Sequence, residues 1–174
     1  STTQQEEIGE NDWNTLKKAI EAAVNALVEY RKTEGAALEV KFREKISNIS
    51  DLLASVNQYE TARVSKIKDR IKNALVEHVG ADYDTNRFEQ ELIYYIEKLD
   101  INEEKQRLTN HLDYFIKTIE DEKGQGKKLG FIAQEMGREI NTLGSKSNLA
   151  ELQNIVVMMK DELEQIKEQV LNVM

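Results

Sequence analysis

No proline occurs among the 174 residues of this chain, and only eight glycines do. Proline breaks helices, and proline and glycine together punctuate the turns of sheet proteins, so their scarcity favours long helices. Apolar residues recur at steps of three and four along most of the sequence, which is the spacing of one helical face. We therefore predict an all-α fold of long antiparallel helices, an extended arm helix followed by a C-terminal helical bundle, with no segment typical of a strand.

The apolar pattern divides the chain into six helical segments. The first passes through Gly35, and as one helix of about 45 residues it would extend roughly 65 Å at about 1.5 Å per residue. The others lie within 64–79, 88–99, 101–122, 129–143 and 149–173, with EKGQGKK (122–128) as a flexible connector. Asp100 and Glu103 form a capping box, and Asn148 can cap the last helix. We predict a disordered leader at 1–11, a long helical arm or hairpin at 12–83, and a C-terminal helical domain at 84–174.

Three glycines recur every seven residues in the fifth segment, at Gly130, Gly137 and Gly144. Each costs about 0.5–1 kcal/mol relative to alanine inside a helix, so this face is expected to serve a close approach. Either a neighbouring helix or a nucleic-acid backbone could make this close approach to the glycine face. Taken by themselves, such small residues favour tight packing against a helix.

The last segment has the most regular apolar pattern, with alternating steps of three and four. Its members are Leu149, Leu152, Val156, Met159, Leu163, Ile166, Val170 and Val173. This spacing is that of a coiled-coil seam, and Ile155, Val157 and Met158 add a second apolar face beside it. The helix is therefore either a core helix of one bundle or a helix that packs both on its own domain and on another subunit.

Composition excludes several classes of protein. The absence of cysteine excludes disulfide frameworks and thiolate zinc sites, and it fits a cytoplasmic protein. No 18-residue apolar run and no signal-peptide pattern occur, so no membrane association is expected. The net charge of −8 disfavours nucleic acid, but residues 123–147 hold five Lys/Arg against two Asp/Glu. This basic stretch contains the three glycines.

Two groups of polar residues could carry chemistry. Glu104, Arg107 and His111 lie on one flank of the fourth segment's apolar stripe and could converge in a cleft, although a histidine beside core residues is more often simply packed. Glu135 and Glu139 are four residues apart, a spacing that lets two carboxylates share a divalent cation. The simpler interpretation of that pair is a solvated face around the intervening arginine.

A family resemblance rests on three stretches of sequence. GKKLGFIAQEMGREINTLGSKS (126–147), VVMMKDELEQIKEQVLN (156–172) and EKLDINEEKQRLTNHLDYF (97–115) resemble the C-terminal part of the YicC-like bacterial endoribonucleases. Trp13 and the run EGAAL (34–38) also fit that family's long helix. Gly130 replaces an aspartate and Gly137 an asparagine of the family pattern, so position 130 is not an essential metal ligand here. The family's N-terminal α/β domain has no counterpart in this sequence.

The resemblance implies a hydrolase that cleaves RNA with a divalent metal, Mn²⁺ or Mg²⁺ in preference to Zn²⁺. It also implies a homo-oligomer, for which a hexamer is one assembly that fits. Under this hypothesis the catalytic candidates are His111, Glu135 and Glu139, the metal candidates are Glu104, Glu135 and Glu139, and the RNA-binding candidates are Arg107, Lys127, Lys128, Arg138 and Lys146.

Two other functions fit the same sequence. The chain could be a non-enzymatic helical scaffold for oligomerisation, or an RNA-binding adaptor without cleavage. An enzyme would bring Glu104, His111, Glu135 and Arg138 into one solvent-exposed cleft, whereas a scaffold would scatter them. The chain on its own need not be active, since an additional domain could hold part of the site.

Overall fold

A computed structural model describes residues 7, 9–80, 82–121 and 125–173. Its helices are α1 (Glu10–Ser55), α2 (Glu60–Val79), α3 (Thr85–Lys98), α4 (Asn102–Asp121), α5 (Gly126–Lys146) and α6 (Ala150–Val170), with a 3₁₀ turn at Val56–Tyr59. The described part of the chain contains no strand, which confirms the all-α prediction. Within it, every helix is too short or too polar to span a lipid bilayer.

The chain divides into two compact units, Ser1–Val40 and Lys41–Met174. The predicted division after residue 83 falls instead inside the second unit, in the turn between α2 and α3. The first helix is continuous through Gly35, as predicted, and 46 residues long. The predicted leader, 1–11, lies largely outside the described residues, and its last two positions are helical.

In the first unit, α1 exposes an apolar stripe. The exposed side chains of the stripe are Trp13, Leu16, Ile20, Val24, Leu27, Val28 and Tyr30. Each of them is at least 44% exposed, so the stripe is not covered by other parts of the unit. We refer to these residues as the α1 stripe.

The second unit is built on four antiparallel helices, namely α1 from Lys41 onward, α4, α5 and α6. Arg43 pairs with Glu120 at 2.8 Å and Lys105 Nζ donates to Asn57 at 2.6 Å, so α1 and α4 run in opposite directions. On its other side α1 meets α6, where Asn48 Nδ2 donates to the Glu162 carboxylate at 3.1 Å. The side chains between these helices form one apolar core, from Phe42, Ile46, Ile49, Leu108, Leu112, Phe115, Leu129, Ile132, Met136, Ile140, Met159, Leu163 and Ile166.

Helices α2 and α3 form a hairpin with a small core of its own. Ile67, Ile71 and Phe88 are buried in it. Gly80 ends α2 with φ 87°, a conformation that glycine adopts without strain. Asp84 caps α3 by accepting from the Asn86 amide at 3.0 Å. The hairpin lies outside the four-helix core, and none of the predicted site residues belongs to it.

The glycines of α5 face α6. A Cβ on Gly130 would lie 3.8 Å from Val170, one on Gly137 3.3 Å from Leu163, and one on Gly144 3.1 Å from Val156. The glycine repeat therefore opposes a matching seven-residue repeat of Val156, Leu163 and Val170 in antiparallel register. The sequence left open whether a helix or a nucleic-acid backbone lies against these glycines. The structure shows that a helix does, and this helix is α6 of the same chain.

The seam predicted for α6 is buried in its own bundle from Leu152 to Val170. Of the second apolar face only Ile155 is buried, whereas Val157 and Met158 are 63% and 48% exposed. The predicted cap at Asn148 is wrong, because Leu149 occupies the capping position without a side-chain hydrogen bond. The backbone carbonyl of Asn148 accepts instead from Lys66 Nζ at 2.8 Å.

Candidate nucleic-acid interface

A cluster of charged side chains joins α4 to α5. Arg107 Nε donates to the Glu139 carboxylate at 2.9 Å, and its guanidinium also contacts Glu103 and, at 3.8 Å, Glu104. Lys146 Nζ donates to Glu104 Oε1 at 2.7 Å. The antiparallel register of the two helices brings these pairs together, since residues 104 and 107 oppose residues 146 and 139.

The two inner carboxylates of this cluster are buried. Glu104 is 3% exposed and Glu139 8%, whereas the simpler interpretation of the sequence was that Glu139 lies on a solvated face. The hydrogen bond from Arg107 to Glu139 raises the pKa of the guanidinium above its ordinary value, while partial burial acts in the opposite direction. Arg107 is therefore always charged, as these carboxylates require.

The predicted metal ligands are not assembled into a metal centre. Glu135 pairs on the surface with Arg138 at 3.2 Å, while Glu104 and Glu139 are bound to Arg107 and Lys146. Across the described ranges, no three His, Cys, Asp or Glu side chains are grouped so that they could hold a metal ion. Among the described residues, Glu104 Oε2 is buried and has no hydrogen-bond partner. A single unpaired oxygen that lies beside two cations, Arg107 and Lys146, is not sufficient to bind a metal ion. These carboxylates alone do not fit a divalent cation.

His111 lies one helical turn beyond Arg107 on α4. It is half-buried and forms no hydrogen bond or ion pair within the described residues. Following the register of the Arg107–Glu139 pair by one turn on each helix places His111 level with Glu135. Because Glu104 is buried, the four residues expected of an enzyme do not form one exposed cleft.

Two grooves on the second unit lie away from these residues. One, of about 630 Å³, is open between α1 and α6 and is lined by residues such as Asp51, Leu52 and Met158. The other, of about 340 Å³, lies between α2 and α3 and includes Arg70 and Arg87. Neither groove includes a catalytic, metal or RNA-binding residue predicted from the sequence.

The exposed face of α5 differs in composition from the rest of the chain. Its exposed residues are Lys127, Lys128, Phe131, Gln134, Arg138, Asn141 and Ser145. This helix is described throughout. Glu139 is buried, and Glu135 lies at the edge of this face, where its side chain is 43% exposed and pairs with Arg138. Lys128 Nζ lies 5.0 Å from the centre of the Tyr114 ring. We call Lys127, Phe131, Gln134, Arg138, Asn141 and Ser145 the outer row of α5.

Phe131 is the one aromatic member of the outer row, and it was not predicted as functional from the sequence. It is 59% exposed, and it lies one turn after Lys127 and two turns before Arg138. The signal was present in the sequence, because the helical wheel places position 131 with these two cations and away from the apolar stripe.

A model of the family described as "Endoribonuclease YicC-like, C-terminal" matches residues 56–174. This all-helical chain therefore belongs to the YicC-like endoribonuclease family. A probable endoribonuclease YicC of Clostridioides difficile is 32% identical over 163 residues, covering 92% of this chain and 56% of the relative. A protein of the same name from Haemophilus influenzae is 29% identical over 157 residues, covering 90% and 54%. The chain thus spans about half the length of these curated relatives.

Removing the buried carboxylate of Glu104 is expected to destabilise the protein. Glu104→Ala deletes a charged hydrogen bond to Lys146 and should lower the free energy of unfolding by about 1.5–3 kcal/mol. Glu104→Gln keeps an acceptor for Lys146 and should cost less. Urea denaturation measures both, and Glu103→Ala, whose side chain is 76% exposed, is the control with an expected change below about 0.5 kcal/mol. Equal losses at positions 103 and 104 would contradict this account.

Proposed function

We propose that this chain is the helical part of an endoribonuclease that binds and cleaves RNA as a homo-oligomer in the cytoplasm. Membership of the family and the printed names of the relatives support this proposal. The observation that supports particular RNA-binding residues is the exposed face of α5, where three of the seven exposed residues are cations and one carboxylate, Glu135, lies at the edge, in a chain of net charge −8. Phosphate contacts supply most of the affinity for RNA, and such a face attracts them.

The proposed RNA contacts fall into two groups. Lys127 and Lys128 are exposed and would meet phosphates directly, and Arg138, also exposed, would exchange its surface pair with Glu135 for a phosphate. Arg107 and Lys146 lie at the inner edge, where a phosphate would compete with the carboxylates that they already bind. We therefore expect the first group to contribute more to affinity than the second.

For cleavage we propose His111 as general acid or base, with Glu135 at the same level on α5 and Glu139 behind it. An imidazole can both donate and accept a proton, and proton transfer by a positioned side chain contributes about 10²–10⁴-fold to a rate. Dependence on Mn²⁺ or Mg²⁺ is also part of the proposal. Because the described carboxylates do not complete a coordination sphere, such an ion would need further ligands, such as RNA phosphates or side chains outside the described residues.

The proposed assembly uses two of the apolar surfaces that are exposed in the described part of the chain. The α1 stripe extends over about three heptads, and Val157 and Met158 form a smaller patch on α6. Monomeric proteins rarely leave large contiguous apolar surfaces in water, so contact between subunits would explain both.

An RNA-cleavage assay tests the proposed function. His111→Ala and Glu135→Ala, placed in a protein of the relatives' full length, should each lower turnover by about 10²-fold or more, and chelation of divalent ions should abolish it. His78→Ala, on α2, is the matched control and should leave turnover unchanged. Normal turnover by the correctly folded His111 and Glu135 variants would refute the assignment. Running this chain beside the longer protein shows how much of the chemistry it contains.

The exposed α1 stripe also supports a second function, a helical scaffold that only assembles subunits. A scaffold would self-associate with no affinity for RNA. An RNA-binding adaptor would bind RNA without metal, with strong dependence on salt, and would give no cleavage products.

A further inference from the structure

Phe131 occupies an unusual position for a phenylalanine. Its ring is 59% exposed, although the apolar side of the same helix is fully packed. Nothing in the packing of α5 on α4 or α6 requires an aromatic side chain there, because both contacts use other faces of the helix. The exposure of this ring therefore needs an explanation beyond folding.

The surroundings of Phe131 define the chemistry of its partner. Lys127 precedes it by one turn, Arg138 follows it by two turns, and Gln134 lies between. The outer row runs from residue 127 to residue 145, about 27 Å at about 1.5 Å per residue. The Glu135 carboxylate, which pairs with Arg138 at 3.2 Å, lies at the edge of the row. A flat apolar ring between cations and neutral hydrogen-bonding groups matches a polyanion with flat apolar bases.

We propose that the outer row of α5 is a stacking surface for an unpaired RNA strand, with Phe131 stacking on a base. Lys127 and Arg138 contact phosphates on either side, and the Gln134 amide hydrogen-bonds a base edge or a ribose hydroxyl. The inference rests on the proposed RNA-binding function and adds the substrate class, a single strand at this point. Bases of a duplex stack on each other, so an aromatic side chain reaches only unpaired ones.

Fluorescence anisotropy with a labelled 12-residue oligouridylate and with a duplex RNA of equal length tests this inference in the chain itself. Phe131→Ala should raise the Kd for oligouridylate about 5- to 150-fold, the effect of losing one stacked base, and should change the Kd for the duplex by less than about 2-fold. Phe131→Trp should retain the affinity for the single strand. Ile93→Ala, which truncates another exposed apolar residue on α3, is the matched control and should have no effect.

A second readout reports stacking directly. In a Trp13→Phe background, Phe131→Trp places the sole tryptophan of the chain in the outer row. Stacking on uracil should quench its emission in proportion to the bound fraction. Unquenched emission at saturating oligouridylate would contradict stacking even if the strand binds nearby.

The outcomes separate the inference from the function on which it rests. If the chain binds oligouridylate and Phe131→Ala binds it equally well, the stacking surface is refuted while RNA binding stands. If the unaltered chain binds neither RNA at low salt, RNA binding by this unit and the inference fail together. Self-association that depends on Phe131 without RNA binding would make the outer row a protein interface, and would also overturn the proposal.

Discussion

Gly144→Leu should destabilise the protein by about 3 kcal/mol, because its side chain must enter the space that Val156 fills. Even a Cβ at this position would lie 3.1 Å from Val156 Cγ1, closer than side chains normally approach. The added isobutyl group would therefore push α5 and α6 apart over the length of their contact. Thermal and urea denaturation measure the loss.

Gly130→Ala, on the same face of the same helix, is the matched control. Its Cβ would lie 3.8 Å from Val170, an ordinary contact, so the gain in helix propensity of about 0.5–1 kcal/mol should prevail. The two substitutions are thus expected to have opposite signs. If Gly144→Leu were neutral, the close approach of α5 to α6 would be refuted.

Phe115→Ala is expected to cost about 3–5 kcal/mol, since the ring is completely buried and its loss leaves a cavity between α1 and α4. The ring packs edge-to-face on Phe42, with ring centres 5.2 Å apart. Tyr114→Ala removes the adjacent, exposed aromatic side chain and should cost less than about 1 kcal/mol.

A double-mutant cycle with Phe42→Ala isolates the aromatic contact, for which we expect a coupling of about 0.5–1.5 kcal/mol. Zero coupling, with a full loss for each single variant, would mean that the two rings stabilise the protein independently. That result would contradict the packing of α1 on α4 through this pair.

Helix positions were predictable from the sequence because apolar spacing and capping chemistry are local. The apolar stripe of α5, from Leu129 to Leu143, and the end of α2 at Gly80 follow the pattern directly. The unit boundary at Val40 did not follow, because the apolar periodicity continues across it. Whether a stripe is covered depends on what packs against it, which is a tertiary property.

The candidate site was only partly predictable for a similar reason. A helical wheel gives the face on which Glu139 lies but not its partner, so its burial against Arg107 became apparent only with the register of α4 and α5. The sequence favoured a neighbouring helix against the three glycines, but only the structure shows that this helix is α6. Phe131 was overlooked because a single aromatic residue has no periodicity of its own.

The glycine repeat of α5 also fixes the rotational phase of this helix. Because positions 130, 137 and 144, which face α6, lack a side chain, a roll of α5 about its axis would turn a larger residue into the narrow gap beside α6. Packing against α6 therefore favours the observed rotation of α5 about its own axis. The glycines on the side of α5 that faces α6 thus determine the direction in which the outer row projects, although they are not part of that row.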